Sequence, residues 1–282
     1  MEPEVIVGLG SAGLALLAAI ISGLMANRSL RLVHKLGRQQ KHEDAAEEAE
    51  RILHMYRDPL LDAAQTLQSR IYNIVDQSYL ERYLTCGEED EERYARDYTV
   101  FAIAEYLCWV EIVRRELRFL DAGEVDRNRQ LLSHLTRTQV SFQTDRIDAP
   151  FQIFRGRQRA IAELMMVPTN APEGPRSECL GYATFRRRLD TDAEFASWFG
   201  RLRADVDVVA ASGPEADVRL ARLQHDLIDL IDFLDPKAFR IPPNLRNRLA
   251  EPATTVPFQD LREPSLPGPG RPDRGLSLIT AI

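Results

Sequence analysis

Residues 5–25 read VIVGLGSAGLALLAAIISGLM, 21 positions without a charged side chain. At about 1.5 Å of rise per residue, a helix of this length crosses a hydrocarbon core of roughly 30 Å. A rival reading starts from Gly8, Gly10 and Gly13, which spell G-x-G-x-x-G. In a dinucleotide-binding unit those glycines follow a strand and open a helix whose N-terminus meets pyrophosphate. That helix should carry a polar face, yet Ser11 to Met25 holds only Ser11 and Ser22 as polar side chains. The acidic residue expected about 20 positions on is replaced by the basic run Arg28 to Lys41. No alternation of strands and helices follows to build a parallel sheet. The stretch therefore predicts a transmembrane helix, ahead of a mainly helical remainder.

Glu2, Pro3 and Glu4 precede this core, so the positive n-region of a cleaved signal peptide is missing. Arg28, Arg31, Lys35, Arg38 and Lys41 follow it. Lys and Arg mark the cytoplasmic flank. The expected arrangement is a single-pass protein of the cell membrane, with its N-terminus outside and its body in the cytoplasm. The basic flank also suits anionic head groups of the lipid bilayer. Ser11, Ala15, Ala19 and Gly23 form a stripe of small residues along the span, a surface through which two such helices can approach as a homo-oligomer.

The remaining chain divides by composition. Residues 28–57 are a charged helical connector with an acidic run at Glu43, Asp44, Glu47, Glu48 and Glu50. Residues 58–235 form the cytoplasmic domain, and residues 236–282 a Pro-rich tail expected to be disordered, since nine of the 16 prolines lie from Pro236 onward. A net charge of −7 argues against nucleic acid as a partner. Three cysteines, Cys86, Cys108 and Cys179, lack C-x-x-C spacing and give neither a disulfide frame nor a zinc site.

Within the domain, Leu60, Ala64, Leu67, Ile71 and Ile74 step by four and three, one face of a helix starting at Asp58-Pro59. The next helix runs from the acidic cluster Glu88 to Glu92 to about Asp121. Its apolar middle, VFAIAEYLCWVEIV at 100–113, should be the most buried part of the molecule. A weaker helix follows at 124–142, and another at 155–167 ended by Pro168. Residues 168–177 read as a loop and 179–185 as a short strand. Thr191 and Glu194 form a capping-box pattern ahead of Phe195, Trp198, Phe199, Leu202, Val206 and Val209. The last helix, 215–234, carries the seam Leu220, Leu223, Leu227, Leu230 and Leu234.

Three features could carry chemistry. Asp226, Asp229, Asp232 and Asp235 recur every three residues, a spacing that precesses around a helix and cannot aim all four at one metal ion. Acidic groups near a helix C-terminus oppose its dipole, so arginine partners are expected, from Arg186–Arg188 or from Arg155, Arg157 and Arg159. Those last three lie in FRGRQRAIAE at 154–163, beside an aromatic residue and a helix start, a composition suited to an anion. In the buried helix, Glu111 can pair with Arg115 four residues on, whereas Glu105 has no partner in its own helix. No H-E-x-x-H, G-x-S-x-G or P-loop occurs, and no cofactor is expected.

The segments RDPLLDAAQTLQSRIYNIV, YLCWVEIVRRELRFLD, FQIFRGRQRAIAELM, CLGYATF and LQHDLIDLIDFLD resemble those of a family of bacterial, mostly actinobacterial, single-pass membrane proteins of unknown function. The likeness covers about residues 57–235 and implies one folded unit there, with no catalytic residues to transfer. The expected fold is mainly α: a transmembrane helix, then a helical bundle with at most one or two short strands. The expected function is an anchored interaction or scaffolding module. The alternative is a membrane-tethered ligand-binding or enzymatic domain with a pocket lined by Glu105, Glu111, Arg155, Arg157 and Arg159. Convergence of these residues on a cavity of ligand size distinguishes the two.

Overall fold

The computed structural model describes residues 54–118, 126–171, 174–212 and 218–250, together with Glu47 and Arg51. The apolar span 5–25, its small-residue stripe, most of the connector and residues 251–282 lie outside the described residues. Among the described residues, no helix is long and apolar enough to cross a membrane.

The fold is mainly helical, with two short strands. In chain order the elements are α1 (54–77), α2 (Tyr79–Cys86), α3 (Glu89–Arg118), α4 (Asp126–Gln143), α5 (Arg155–Met165), β1 (Met166–Ala171), β2 (Gly174–Cys179), α6 (Tyr182–Thr191), α7 (Ala193–Ser212) and α8 (Val218–Leu234). A 3-10 turn, Pro243–Leu245, follows. The long α3 is the axis of the body, with α2, α5, α6, α7 and strand β2 packed around it, while α4 lies along α8.

The periodic apolar faces become the core. Leu60, Ala64, Leu67, Ile71 and Ile74 of α1 are buried, as are all five leucines of the α8 seam. Each of the buried leucines and isoleucines contributes roughly 1.5–3 kcal/mol by leaving water. Leu67, Ile71 and Ile74 meet Ile103, Phe142, Leu220 and Leu223 around a void of only about 10 Å³. Close packing therefore runs from α1 through α3 and α4 to α8. At the other end, Phe185 stands edge-on to Phe199 at 5.0 Å and to Phe195 at 5.7 Å, locking α6 onto α7.

Several local expectations are corrected. Helix α1 is already formed at residue 54, and Tyr56 is buried in the core. Asp58 therefore stands inside the helix, and it pairs with Arg240 from beyond α8. Residues 168–171 and 174–177 lie in two antiparallel strands, with Met166 opposite Cys179 and Thr169 opposite Arg176. Of the expected strand at 179–185, only Cys179 lies in a strand, as the end of β2, and residues 182–185 open α6. The cap before Phe195 is Asp192, whose carboxylate accepts the Phe195 N–H at 3.0 Å, while the Thr191 hydroxyl donates back to the Arg187 carbonyl.

The largest correction lies beyond Leu234. Residues 236–250 close over the body and bury Ile241 and Leu249. Asp235 turns the chain: its carboxylate accepts the N–H groups of Phe239 at 3.0 Å, Arg240 at 3.1 Å and Ile241 at 3.0 Å. Further on, Gln68 of α1 donates to the Leu245 carbonyl at 2.9 Å. Gln224 of α8 donates to Asn247 at 2.7 Å and accepts from the Leu249 N–H at 3.2 Å. The aspartate repeat finds its arginines here and not at 155–159 or 186–188. Arg246 bridges Asp232 and Asp235, each at 2.8 Å. Arg248 reaches Asp229 at 2.7 Å, and Arg137 of α4 takes the other Asp229 oxygen at 3.1 Å.

The loop from α4 to α5 is held by two buried groups. Arg219 of α8 lies beneath it and donates to the Thr144 and Ile147 carbonyls. Phe151 is buried at φ 63°, a conformation that aromatic residues rarely adopt. Its N–H is fixed by the Asp205 carboxylate at 3.1 Å, which Arg201 also holds at 3.0 Å. This loop sets where α5 begins, and hence where Arg155 and Arg159 stand.

Candidate functional site

Helices α3, α4 and α5 enclose an open cleft of about 530 Å³. That volume is within the range of small-molecule sites. Helix α3 contributes Glu111, Arg114 and Leu117; α4 contributes Leu132, Gln139 and Val140; α5 contributes Arg155 and Arg159. Positions 111 and 114 share a face of α3, and 155 and 159 share a face of α5, because three or four residues make one helical turn.

Glu111 is buried and carries the polar geometry of the floor. One of its oxygens accepts Arg115 Nε at 3.0 Å and Arg159 Nη2 at 3.3 Å. The pair expected within α3 is thus present, and α5 adds a second guanidinium across the cleft. Arg115 also pairs with Glu163 on the rim. Arg114 donates to the Gln139 side-chain oxygen and, at 3.2 Å, to the Leu135 carbonyl. Burial holds the Arg114 pKa below the ordinary arginine value; Arg155 and Arg159 push it the same way, and Tyr106 and Glu111 oppose them. Arg155 makes no hydrogen bond or ion pair with any described residue. Three guanidiniums thus face one lining carboxylate, so the cleft carries an excess of positive charge beside the apolar Leu117, Leu132 and Val140. The first turn of α5 has neither an acidic residue nor a side-chain cap.

Glu111, Arg155 and Arg159 therefore come together as the sequence suggested; Glu105 and Arg157 do not join them. Arg157 points away and donates to the Trp198 carbonyl at 2.9 Å. Glu105 is half-buried and makes no hydrogen bond or ion pair among the described residues. Burial first, and then Asp62, push its pKa up to about 6. Folding thus favours the protonated carboxyl, and its unfavourable contribution is absent below the unfolded value of 4.5 and full above about 6. Because Glu105 is partly solvated, the full shift is discounted. Glu105→Gln is expected to stabilise the protein by about 1 kcal/mol near neutral pH. At about pH 4 it should change nothing, because the carboxyl is then protonated in both states. Urea midpoints at the two pH values test this, and equal shifts at both would refute it.

Among the described residues, no group of three or more His, Cys, Asp or Glu side chains is placed to hold a metal ion. Comparison of the chain with protein-family models, with curated proteins and with solved structures gives no match. Arg114 and Gln139 are functional candidates that the sequence reading passed over. Arg114 lies three residues from Glu111, and its helical phase alone could have brought it in.

Proposed function

We propose that this chain is a membrane-tethered ligand-binding domain whose α3–α4–α5 cleft takes an amphipathic anion. A carboxylate or phosphate head would lie against Arg155, Arg159 and Arg114, with an aliphatic portion along Leu117, Leu132 and Val140. The observation that carries this reading is the unbalanced positive charge in a cleft of about 530 Å³. Guanidinium groups favour such heads through paired N–H donors. The tether is the apolar stretch 5–25, with the N-terminus outside and the body cytoplasmic, as the Lys and Arg bias supports. Membership in the bacterial membrane-protein family resembled by residues 57–235 belongs to this same proposal.

Calorimetry on the full-length chain in micelles tests the cleft, with hexyl phosphate as probe and hexanol as its uncharged control. Hexyl phosphate should bind, hexanol should not, and the double variant Arg155→Gln/Arg159→Gln should weaken binding by about tenfold or more, that is by at least about 1.4 kcal/mol. Absence of binding, or binding indifferent to both arginines, would leave the scaffolding reading in its place. Assembly through Ser11, Ala15, Ala19 and Gly23 would then be sought by native mass spectrometry of the same sample.

A further inference from the structure

A second recess lies between α1, α2 and α3, on a different stretch of α3 from the cleft above. Ser78 stands at φ 51°, ψ 39° between α1 and α2, and the chain turns there so that Tyr79 lies over Arg70. The Arg70 guanidinium carbon sits 4.4 Å from the Tyr79 ring centre, 4.8 Å from that of Tyr98 and 5.6 Å from that of Tyr94. Tyr94 and Tyr98, one turn apart on α3, stack at 5.1 Å with their planes 17° apart. Tyr182 of α6 braces both edge-on, at 6.2 Å and 5.2 Å.

Arg70 is only 8% exposed, yet it makes no hydrogen bond or ion pair with any described residue. Its Nη1 is shut off from solvent without an acceptor. A buried guanidinium is costly unless paired. Ring faces attract the cation, but they leave its N–H donors, which lie in the guanidinium plane, without acceptors. The recess beside it is about 450 Å³ and is lined by Thr66, Ser69, Asn73 and the three tyrosines, with no carboxylate among its walls. The side chains of Thr66 and Asn73 likewise make no hydrogen bond to a described residue. Tyr94 remains 44% exposed, so part of an aromatic surface is open at the mouth.

We propose that this recess is a separate ligand site for an aromatic anion. A carboxylate or phosphate monoester would accept the Arg70 N–H groups that line the recess, with Ser69 and Asn73 as further donors, and the ring it is borne on would stack against Tyr94. The site is independent of the α3–α4–α5 cleft: Tyr94 and Arg114 are separated by about 30 Å of helical rise.

Calorimetry on the full-length chain decides it, with phenyl phosphate and benzoate as probes and inorganic phosphate and acetate as ring-free controls. At least one aromatic probe should bind the Arg155→Gln/Arg159→Gln chain, whose other cleft lacks two of its cations, about tenfold or more tighter than its ring-free control. In that background Arg70→Gln and Tyr94→Ala should each weaken the binding by about tenfold or more. Tyr94 is a surface residue, so Tyr94→Ala decides the matter even if Arg70→Gln does not fold. The proposal is overturned if neither aromatic probe binds at about 10 mM, if the ring-free ions bind equally well, or if binding survives Tyr94→Ala. Absence of all aromatic-probe binding once Arg155 and Arg159 are changed would overturn it too, by moving the site to the other cleft.

Discussion

Arg219→Met is expected to destabilise the protein by about 4–5 kcal/mol, which for a domain holding 5–15 kcal/mol in total approaches global unfolding. Arg219 is completely buried on α8. Its guanidinium donates to the carbonyls of Ser141 at 2.7 Å, Phe142 at 3.2 Å, Thr144 at 2.9 Å, Ile147 at 2.6 Å and Ala149 at 3.4 Å. The carbonyls at the end of α4 have no partners within their own helix. Hydrogen bonds to a charged donor contribute about 1.5–3 kcal/mol each, and a buried acceptor left alone costs about 1–3 kcal/mol. Desolvation pushes the Arg219 pKa down to about 10, so the cation is costly here and is retained because its acceptors outweigh that cost. Methionine fills most of the volume and satisfies none of the acceptors. Lysine should fail nearly as badly, since one ammonium cannot reach five divergent carbonyls. Equilibrium denaturation of the full-length variants measures both effects. A loss below about 1 kcal/mol would mean that water replaces the guanidinium in the loop.

The second large effect concerns residues 235–250. A chain ending at Leu234 should be less stable than one ending at Ala250 by about 4 kcal/mol, because three losses combine. Ile241 and Leu249 no longer cover the body. Gln224, completely buried, loses the Asn247 carbonyl and the Leu249 N–H. Asp229 and Asp232 lose Arg248 and Arg246. Comparing these two truncations isolates the segment from everything that follows it. Arg246→Met in the intact chain should account for about 2 kcal/mol of the total, since it removes the bridge but keeps the apolar cover. Equal denaturation midpoints for the two truncations would show that the segment adds nothing. Asp235 gives a companion pH effect. Burial alone would raise its pKa, but three backbone N–H groups and Arg246 outweigh burial and hold it below the ordinary carboxylate value. The segment's contribution is therefore present at neutral pH and is lost as pH falls into the acid range, a loss that the chain ending at Leu234 should not show.

The seams of α1 and α8 were legible because periodicity reports which residues share a helical face, and a shared apolar face must be buried somewhere. The hairpin at 166–179 was not. Its sequence holds three prolines and little β-branched content, and it is a hairpin because its two arms pair with each other while β2 rests on α3. The order of 236–250 was hidden for a related reason: proline-rich composition argues against a self-sufficient core, and this segment uses a core that α1 and α8 supply. In the cleft, the Glu111–Arg115 pair follows from spacing within one helix. The approach of Arg159 to Glu111, 48 residues away, follows only from the packing of α5 on α3. Arg70 shows the sharpest limit. In sequence it is one more arginine on a charged helix, and only its burial against three tyrosines sets it apart.

The bond between Gln68 and the Leu245 carbonyl spans 177 positions of the chain. During synthesis at 5–20 residues per second, residues 235–249 emerge about one to three seconds after α8 is complete. Until they arrive, Gln224 has no backbone partner in that segment and two aspartates of α8 wait for their arginines. The closing step joins the beginning of the body to its end, the kind of non-local pairing that slows folding most. A nascent chain of this protein therefore cannot close this seam until the last residues of its body have been made.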